Sequence, residues 1–185
     1  MTDAALADRA ATGDAEAFGQ LVERYTPVAR RVARALLGDP ADADDAVQDG
    51  LLSAWRAIER YDSGRPFRPW LLRIVLNAAR DLGRRRVARR TDPAEPAVLE
   101  RIAGTGPSPE AATDRALLRD ALDRALAALP ERQRVAVTLF DGEGYAHAEI
   151  AALLEVPEGT VRSDLFHGRR ALRSALRPFL EDRTG

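Results

Sequence analysis

The sequence predicts an all-α protein made of two small helical domains joined by a flexible linker. Alanine, leucine and arginine, which all favour helices, are abundant along the 185 residues, and no alternating run of β-branched residues predicts a strand. The composition breaks once, from Asp92 to Pro109, where four prolines and two glycines interrupt the helical periodicity. The break predicts an N-terminal domain at residues 1–90, a linker at 91–108 and a C-terminal domain at 109–185.

Helix start and stop signals define the elements of the N-terminal domain. Gly38 ends one apolar pattern, and Asp39 is an N-cap residue followed by proline at the first helical position. Pro27 lies inside the first pattern and predicts a kink. The predicted helices run from Asp14 to Leu37, from Asp39 to about Arg60 and from about Phe67 to Arg90, with a loop at residues 61–66.

The C-terminal domain repeats these signals. Ser108 and Pro109 form a second cap signal that opens a helix to about Leu129, and Pro130 starts the next helix, which ends near residue 141. A turn at residues 156–159 separates two shorter helices, and Thr160 is the predicted N-cap of the second.

The composition excludes several classes of protein. With 45% hydrophobic and 31% charged residues, the chain is neither a disordered tail nor a membrane-spanning protein, and residues 1–5 lack the pattern of a signal peptide. No cysteine and two scattered histidines predict no disulfide, no metal site and no cofactor. The sequence also has no glycine-rich phosphate loop and no nucleophile–base pair, so we do not expect an enzyme.

A net charge of −1 conceals a strongly basic segment at residues 65–90. This segment holds nine arginines against one acidic residue, Asp81. On a helical wheel one face is apolar and the opposite arc is polar, with Trp70 at the border. Such an arc suits phosphate and base-edge contacts, although a solvated amphipathic helix is the alternative. The apolar face comprises Ile74, Val75, Ala78 and Leu82, and the polar arc comprises Arg73, Asn77, Arg80 and Arg84.

A second basic cluster lies at residues 162–177, with five arginines and Asp164. Following a short helix and a turn that contains Gly159, its exposed basic N-terminal half predicts a DNA-reading helix-turn-helix. A plain helical hairpin with an exposed phenylalanine is the alternative. The predicted inward stripe is Val161, Leu165, Gly168 and Leu172, and the outward arc is Arg162, Phe166, Arg169 and Arg173.

The helix after Asp39 has an acidic face that includes one aliphatic residue. An acidic face of this kind suits a basic protein surface rather than nucleic acid. A solvated acidic face, stabilised by the helix dipole, is the alternative. The inward residues are Val47, Leu51, Ala54 and Ile58, and the outward residues are Asp42, Asp45, Gln48, Asp49 and Leu52.

Several stretches resemble the extracytoplasmic-function (group IV) sigma factors of bacterial RNA polymerase, in the sigma-70 family. Residues 42–49 (DADDAVQD) and 54–56 (AWR) look like the polymerase-binding stretch of conserved region 2. Residues 67–74 (FRPWLLRI), with Asn77 and Asp81, are similar to the stretch that melts and reads the minus-ten element. Residues 129–134 (LPERQR) and 159–163 (GTVRS) look like region 4, which reads the minus-thirty-five element.

The resemblance implies an alternative sigma factor of the bacterial cytoplasm that binds the polymerase core, directs it to specific promoters and initiates transcription by melting the duplex. Residues 1–90 would be region 2 and residues 109–185 region 4. The implied partners are the clamp coiled coil and flap of the polymerase core, promoter DNA as duplex and as melted nontemplate strand, and an anti-sigma factor, without insertion into a membrane.

The resemblance also implies the site residues. Minus-ten recognition and melting would use Tyr61, Asp62, Ser63, Gly64, Arg65, Phe67, Trp70, Arg73, Asn77, Arg80 and Arg84. Minus-thirty-five recognition would use Thr160, Arg162, Ser163, Phe166, His167, Arg169, Arg170 and Arg173. Polymerase binding would use Asp42, Asp45, Gln48, Asp49 and Leu52.

The chain departs from the family pattern at a few positions. Asp164 stands where arginine is usual; it falls near the buried stripe, which favours an intramolecular salt bridge over a contact to a cytosine amine. His167 replaces a basic residue. Ala146 replaces a hydroxyl N-cap, which weakens that cap by about 1 kcal/mol. Gly50 replaces a bulkier residue and predicts a softer docking helix.

Three other functions remain open at this point. A DNA-binding regulator that ignores polymerase would explain the helix-turn-helix but not the acidic face or the first basic helix. An enzyme would need a catalytic constellation that the sequence lacks. A helical adaptor could use the basic faces to bind an acidic protein, and it would differ from a DNA-binding protein in its salt dependence.

Overall fold

The fold is described from a computed structural model, which covers residues 1–62, 64–90 and 111–181. Every regular element in these ranges is helical, which confirms the predicted all-α class. The linker predicted at 91–108 and the cap signal at 108–110 lie outside the described residues. The helices are α1 (Asp3–Ala11), α2 (Ala15–Leu37), α3 (Pro40–Ala57), a 3₁₀ turn (Ile58–Arg60), α4 (Phe67–Arg90), α5 (Ala111–Ala128), α6 (Glu131–Val137), a π turn (Thr138–Gly142), α7 (His147–Leu154) and α8 (Glu158–Glu181).

Helices α1–α4 form the first domain, and polar caps fix where two of them begin. The Asp14 carboxylate accepts from the Ala17 amide at 3.0 Å, and the Asp39 carboxylate accepts from the Ala41 amide at 2.8 Å. Gly38 ends α2 in the left-handed conformation, with φ of 76°. These are the boundaries that the sequence predicts, and α2 continues through Pro27.

Gly50 lets α3 and α4 pack closely. A Cβ atom at this position would lie 2.8 Å from the Cα atom of Val75, which is a backbone atom and has little room to move. The glycine therefore permits a close helix–helix approach, and the softer docking helix that the sequence predicts stays a prediction. The α4 face packed into this core is fully buried at Leu71, Leu72, Val75, Leu76 and Ala79.

Helices α6–α8 form the core of the second domain. Val135, Leu139, Ile150, Val161 and Leu165 are buried there. A Cβ atom at Gly168 would lie 2.8 Å from the Cγ2 atom of Val137, so the glycine lets α8 lie close to α6. The predicted inward stripe of α8 is confirmed, with Leu172 half-buried at its end.

The structure corrects three sequence predictions. The sequence did not predict α1, which begins where Thr2 accepts from the Ala5 amide. The last helix is long rather than short, because it spans 24 residues. Thr160 is not its N-cap: it lies in the first turn of α8, where its amide donates to the carbonyl of Pro157 at 2.9 Å.

The two domains contact each other along α2 and α4 of the first and α5–α7 of the second. Arg134 on α6 donates to the carbonyls of Ala35 (3.0 Å) and Leu36 (3.3 Å) at the end of α2, where the helix dipole favours a cation. The same guanidinium donates to Leu129 of its own domain at 2.9 Å, and its burial lowers the pKa of Arg134.

Candidate nucleic-acid and protein interfaces

The outward face of α8 is an exposed surface of basic and aromatic side chains. Phe166 has 64% of its surface exposed, which is unusual for so large an apolar residue, and the His167 ring meets its edge at 5.3 Å. Arg162 pairs with Glu158 one turn earlier at 3.2 Å. The remaining exposed members of the predicted set are Ser163, Arg169, Arg170 and Arg173, whereas Thr160 is half-buried.

Arg169 is fixed by neighbours within the second domain. Its Nε donates to the Asp141 carboxylate at 2.9 Å, and this contact raises the pKa of Arg169. Its guanidinium also lies 4.8 Å from the centre of the Phe140 ring. The π turn that carries both partners therefore holds Arg169 beside the α8 surface, which restricts the direction in which it can reach.

Asp164 forms the intramolecular salt bridge that the sequence favoured. Only 5% of the residue is exposed, and its carboxylate accepts from the Nε of Arg132 at 2.5 Å. The hydrogen bond that Arg132 donates to Asp164 raises the pKa of Arg132. A carboxylate in this position is engaged with α6, so Asp164 belongs to the packing of the second domain and not to its exposed surface.

The basic arc of α4 divides between two environments. Asn77 and Arg84 are exposed, and Arg84 pairs with Asp81. Arg73 and Arg80 face the second domain, where they meet carboxylates on its surface. The buried face is centred one residue away from the predicted stripe, because Ile74, Ala78 and Leu82 are half-buried while Leu72, Leu76 and Ala79 are fully buried.

The loop before α4 is tied to itself and to an aromatic cluster. The Tyr61 hydroxyl donates to the carbonyl of Arg65, and the Asp62 carboxylate accepts from the Gly64 amide at 3.0 Å. Phe67 is buried under Tyr61, with ring centres 5.5 Å apart. Ser63, which the resemblance also implies as a site residue, lies outside the described residues.

Trp70 joins this cluster rather than standing alone. Its ring lies 4.9 Å from that of Tyr61 and 5.4 Å from that of Phe67, and it remains half-buried. Its border position left open a core residue or a ring that stacks on a base; the half-buried ring packs on the aromatic cluster, and base stacking stays a prediction. Burial also raises the pKa of Tyr61, so its hydroxyl stays a hydrogen-bond donor at neutral pH.

The acidic face of α3 is exposed and largely uncompensated. Asp45 and Asp49 are exposed and form no ion pair among the described residues. Leu52, one turn after Asp49, has 47% of its surface exposed. Gln48 is exposed on the same face. Asp42 differs, because it is half-buried and pairs with Arg86 on α4.

A groove beside this face was not foreseen from the sequence. It encloses about 430 Å³, and Gln48 and Leu52 form one wall. Phe18 and Trp55, whose ring centres are 5.0 Å apart, lie at its base together with Leu51. The helical periodicity placed Leu51 on the inward face of the helix, and only the packing of α2 against α3 shows that it lines an open groove.

Comparison with known proteins identifies both domains. The family model described as Sigma-70 region 2 matches residues 21–90, and the model described as Sigma-70, region 4 matches residues 119–172. The ECF RNA polymerase sigma-E factor of Escherichia coli (strain K12) is 34% identical over 97% of each chain. The RNA polymerase sigma factor NccH of Alcaligenes xylosoxydans xylosoxydans is 36% identical over 94% of each chain.

Solved structures agree with these relatives. CnrH, solved in complex with the cytosolic domain of CnrY, superposes with a TM-score of 0.71 at 32% identity, over 95% of this chain and 97% of that chain. The sigma factor RpoE of Bartonella quintana, in complex with the anti-sigma factor NepR, has a TM-score of 0.68 at 24% identity over 86% and 96% of the two chains, and so shares the fold.

The chain therefore belongs to the extracytoplasmic-function sigma factors of the sigma-70 family. With both conserved regions, it is a transcription-initiation factor that works with RNA polymerase in promoter recognition. The first domain is region 2 and the second contains region 4, which confirms the resemblance found in the sequence. Among the helices of the described residues, none is both long and apolar enough to cross a bilayer.

Proposed function

We propose that the acidic α3 face docks on a basic surface of the polymerase core, the clamp coiled coil that the family resemblance implies. The observation that carries this proposal is the pair of carboxylates, Asp45 and Asp49, exposed without an ion pair among the described residues. On the same helix, the exposed Leu52 lies one turn after Asp49 and lines the groove beside Trp55, and these residues offer apolar contact area. Charge complementarity around an apolar centre is typical of specific protein interfaces.

The two basic faces then bind promoter DNA. The α8 surface around Arg162 and Phe166 reads the minus-thirty-five duplex in the major groove, and exposed arginines such as Arg170 and Arg173 contact phosphates. The loop at 61–67 receives a flipped-out base of the nontemplate strand, and Arg73, Asn77 and Arg80 hold that strand. The tied loop and the partly exposed Trp70 support this role, because they offer a preformed rim with a ring for stacking.

Several further properties follow from the same assignment. The protein has no catalytic activity of its own, acts in the bacterial cytoplasm beside polymerase, and uses the flap as a second polymerase contact for region 4. CnrH is bound to the cytosolic domain of CnrY in its solved structure. By analogy, and because the family resemblance implies it, an anti-sigma factor is a further partner that holds this chain inactive.

Reversing the charge of the acidic face tests the proposed docking. Asp45→Arg combined with Asp49→Arg should reduce core binding by about a hundredfold or more, because both carboxylates would then repel a basic surface. Core binding is measured with purified polymerase by fluorescence anisotropy. The matched control is Glu23→Arg with Asp120→Arg, which makes the same charge change at exposed positions that form no ion pair among the described residues. Equal affinities for the two double variants would exclude α3 as the docking helix.

A further inference from the structure

The N-terminal helix α1, which the sequence did not predict, is fixed to the first domain by its buried face. Leu6, Ala7 and Ala10 on this face have no exposed surface. The helix contacts α2, the 3₁₀ turn and α4. Because the loop before α4 begins directly after the 3₁₀ turn and ends at α4, α1 packs against both elements that carry this loop.

The Asp3 carboxylate joins α1 to a buried tyrosine of α2. One of its oxygens accepts from the hydroxyl of Tyr25, which is 6% exposed, and the other pairs with the guanidinium of Arg24. A buried tyrosine hydroxyl needs a hydrogen-bond partner, and Asp3 is its partner among the described residues. Burial and the contact with Asp3 raise the pKa of Tyr25, so the hydroxyl remains a donor at neutral pH.

The ring of Tyr25 extends this contact to the loop before α4. Its centre lies 5.9 Å from that of Phe67, the first residue of α4. The Phe67 ring packs in turn against Tyr61, whose hydroxyl closes the loop by donating to the carbonyl of Arg65. A continuous path of side chains therefore runs from Asp3, through Tyr25 and Phe67, to the loop.

We propose that Tyr25 and Asp3 are positioning residues of this loop: the Asp3 carboxylate holds the Tyr25 ring, and the ring holds the loop in the shape that receives the flipped-out base. The inference rests on the proposed function, which gives the loop its role in base capture. The buried Tyr25 does not reach the DNA, and it acts through Phe67 and Tyr61. The contact reduces the number of shapes that the loop adopts before a base binds.

A preformed loop matters because a captured base has lost its stacking and pairing. Contacts in the receiving loop must offset the free energy of extrusion, and ordering the loop at the moment of binding would add to that cost. The hydrogen bonds from Tyr61 to Arg65 and from Gly64 to Asp62 lie within the loop, so they fix its local turn. The Tyr25 ring adds a contact with the rest of the domain, which fixes how the turn is oriented.

The two partners of Asp3 provide matched variants around one carboxylate. Tyr25→Phe removes the hydroxyl and keeps the ring, while Asp3 keeps its ion pair with Arg24, so no charge is left buried without a partner. Arg24→Gln is the control, because it removes the ion pair of an exposed arginine and keeps the contact between Asp3 and Tyr25. Urea unfolding of each variant establishes that the first domain is folded.

Trp70 reports the state of the loop in the full chain, because its ring lies 4.9 Å from that of Tyr61. Trp55 is the second of the two tryptophans, so Trp55→Phe in every protein compared leaves a single emitter. Acrylamide quenching of Trp70 should increase in Tyr25→Phe and keep the parent value in Arg24→Gln. Unchanged quenching in Tyr25→Phe would overturn the positioning of the loop. Equal increases in the two variants would assign the effect to the charge of α1 and would contradict the role of the hydroxyl.

Base capture is measured in the holoenzyme, on fork templates whose nontemplate strand is already single-stranded, so that melting adds no cost. The strand comes from a promoter that the parent holoenzyme transcribes, and it is intact or carries one abasic site at a time. An abasic site at the captured position should weaken binding by the parent. Tyr25→Phe should reduce the ratio of intact to abasic affinity by about threefold, the effect of one hydrogen bond. Asp3→Ala should match it, whereas Asp3→Asn should keep the parent ratio, because its amide oxygen can still accept from the hydroxyl.

The ratio separates positioning from a general weakening of the domain. An equal loss of affinity for intact and abasic strands in Tyr25→Phe would leave the ratio unchanged and would overturn the positioning role. Increased quenching of Trp70 without a change in the ratio would overturn it as well. A parent holoenzyme that is indifferent to abasic sites at every position would instead refute the proposed base capture, and the quenching result would still decide whether Tyr25 holds the loop.

Discussion

Helices α4 and α8 both carry an arginine face, but the partners of those arginines differ. On α8 the paired arginines use carboxylates of their own domain, Glu158 for Arg162 and Asp141 for Arg169. On α4 the arginines at the domain contact use carboxylates that lie more than 50 residues away in the sequence. The α8 face is therefore complete within one domain, whereas the state of the α4 face depends on where the other domain lies.

A basic stripe found in a sequence therefore does not show whether its arginines are free to bind DNA or are paired with another domain. Both stripes satisfy the same criterion, arginines on one side of an amphipathic helix. Availability is decided by contacts between residues far apart in the chain, such as Arg80 with Glu131.

The largest expected effect comes from removing the α8 side chains that are proposed to read bases. Arg162→Ala with Phe166→Ala should lower transcription from promoters that depend on the upstream element by about a hundredfold, since a good base contact is worth about 1–3 kcal/mol and the ring adds apolar contact. Transcription is measured in vitro with reconstituted holoenzyme, and core binding is measured separately.

Core binding should be unchanged in this double variant, because Phe166 and Arg162 lie on α8 and the proposed docking face lies on α3. Arg119→Ala, an exposed arginine on α5 without an ion pair among the described residues, serves as the control and should retain promoter activity. Equal activity of the double variant and this control would mean that α8 is not the helix that reads the promoter. The arginine face of α8 would then not be a DNA-binding surface comparable with that of α4.

The next largest effect is on stability, and it tests the close contacts that pack each basic helix into its domain. Gly50→Ala should destabilise the first domain by about 1–3 kcal/mol, because its Cβ would press on the backbone of Val75 and push α4 away from α3. Gly168→Ala should cost less, because its Cβ meets the side-chain methyl Cγ2 of Val137 and not the backbone. Urea unfolding followed by far-UV circular dichroism compares the two variants.

Gly19→Ala is the control for both glycines. Gly19 lies inside α2 with no atom within 4 Å of an added Cβ, so alanine should stabilise the helix by about 0.5–1 kcal/mol. Should Gly50→Ala prove as stable as Gly19→Ala, α4 would not be held by a close backbone approach. The packing of α4 at Gly50 would then be no tighter than the packing of α8 at Gly168.

Local rules predict much of this fold. The caps at Asp14 and Asp39, the close of α2 at Gly38 and the bounds of α4 follow from short-range chemistry, and all appear in the structure. The salt bridge of Asp164 follows from the same kind of argument, because its angular position puts it against the buried stripe of α8. Periodicity and cap chemistry are sufficient for features that depend on one helix alone, such as its ends and which of its faces is buried.

The features that could not be predicted depend on contacts between elements. The sequence gives no sign that Gly50 meets the backbone of Val75, because the signal is a distance between two helices. The sequence prediction also placed Asp42 on the exposed acidic face, whereas in the structure Asp42 pairs with Arg86. The second-domain carboxylates that contact the arginines of α4 had no local signal in the sequence. The assignments of individual side chains to DNA and polymerase remain predictions for the experiments above.

The smallest expected effect tests the helix that carries carboxylates toward α4. Ala146 has the extended backbone of an N-cap but no side-chain acceptor, and Glu149 already accepts from its amide at 2.9 Å. Ala146→Ser would add the missing acceptor and complete a capping box, stabilising the second domain by about 1 kcal/mol. The thermal midpoint of that domain should rise by about 4 °C or more.

Ala148→Ser is the matched control, because it places the same side chain at an exposed position inside α7, where serine favours the helix less than alanine. The two substitutions should therefore shift the thermal midpoint in opposite directions. Affinity for a minus-thirty-five duplex should stay the same in both, since α8 supplies that face independently of the first turn of α7. A change in duplex affinity on adding only the cap would show that the DNA-binding face of α8 depends on α7 as well. The arginine face of α8 would then depend on a neighbouring element, as the face of α4 does.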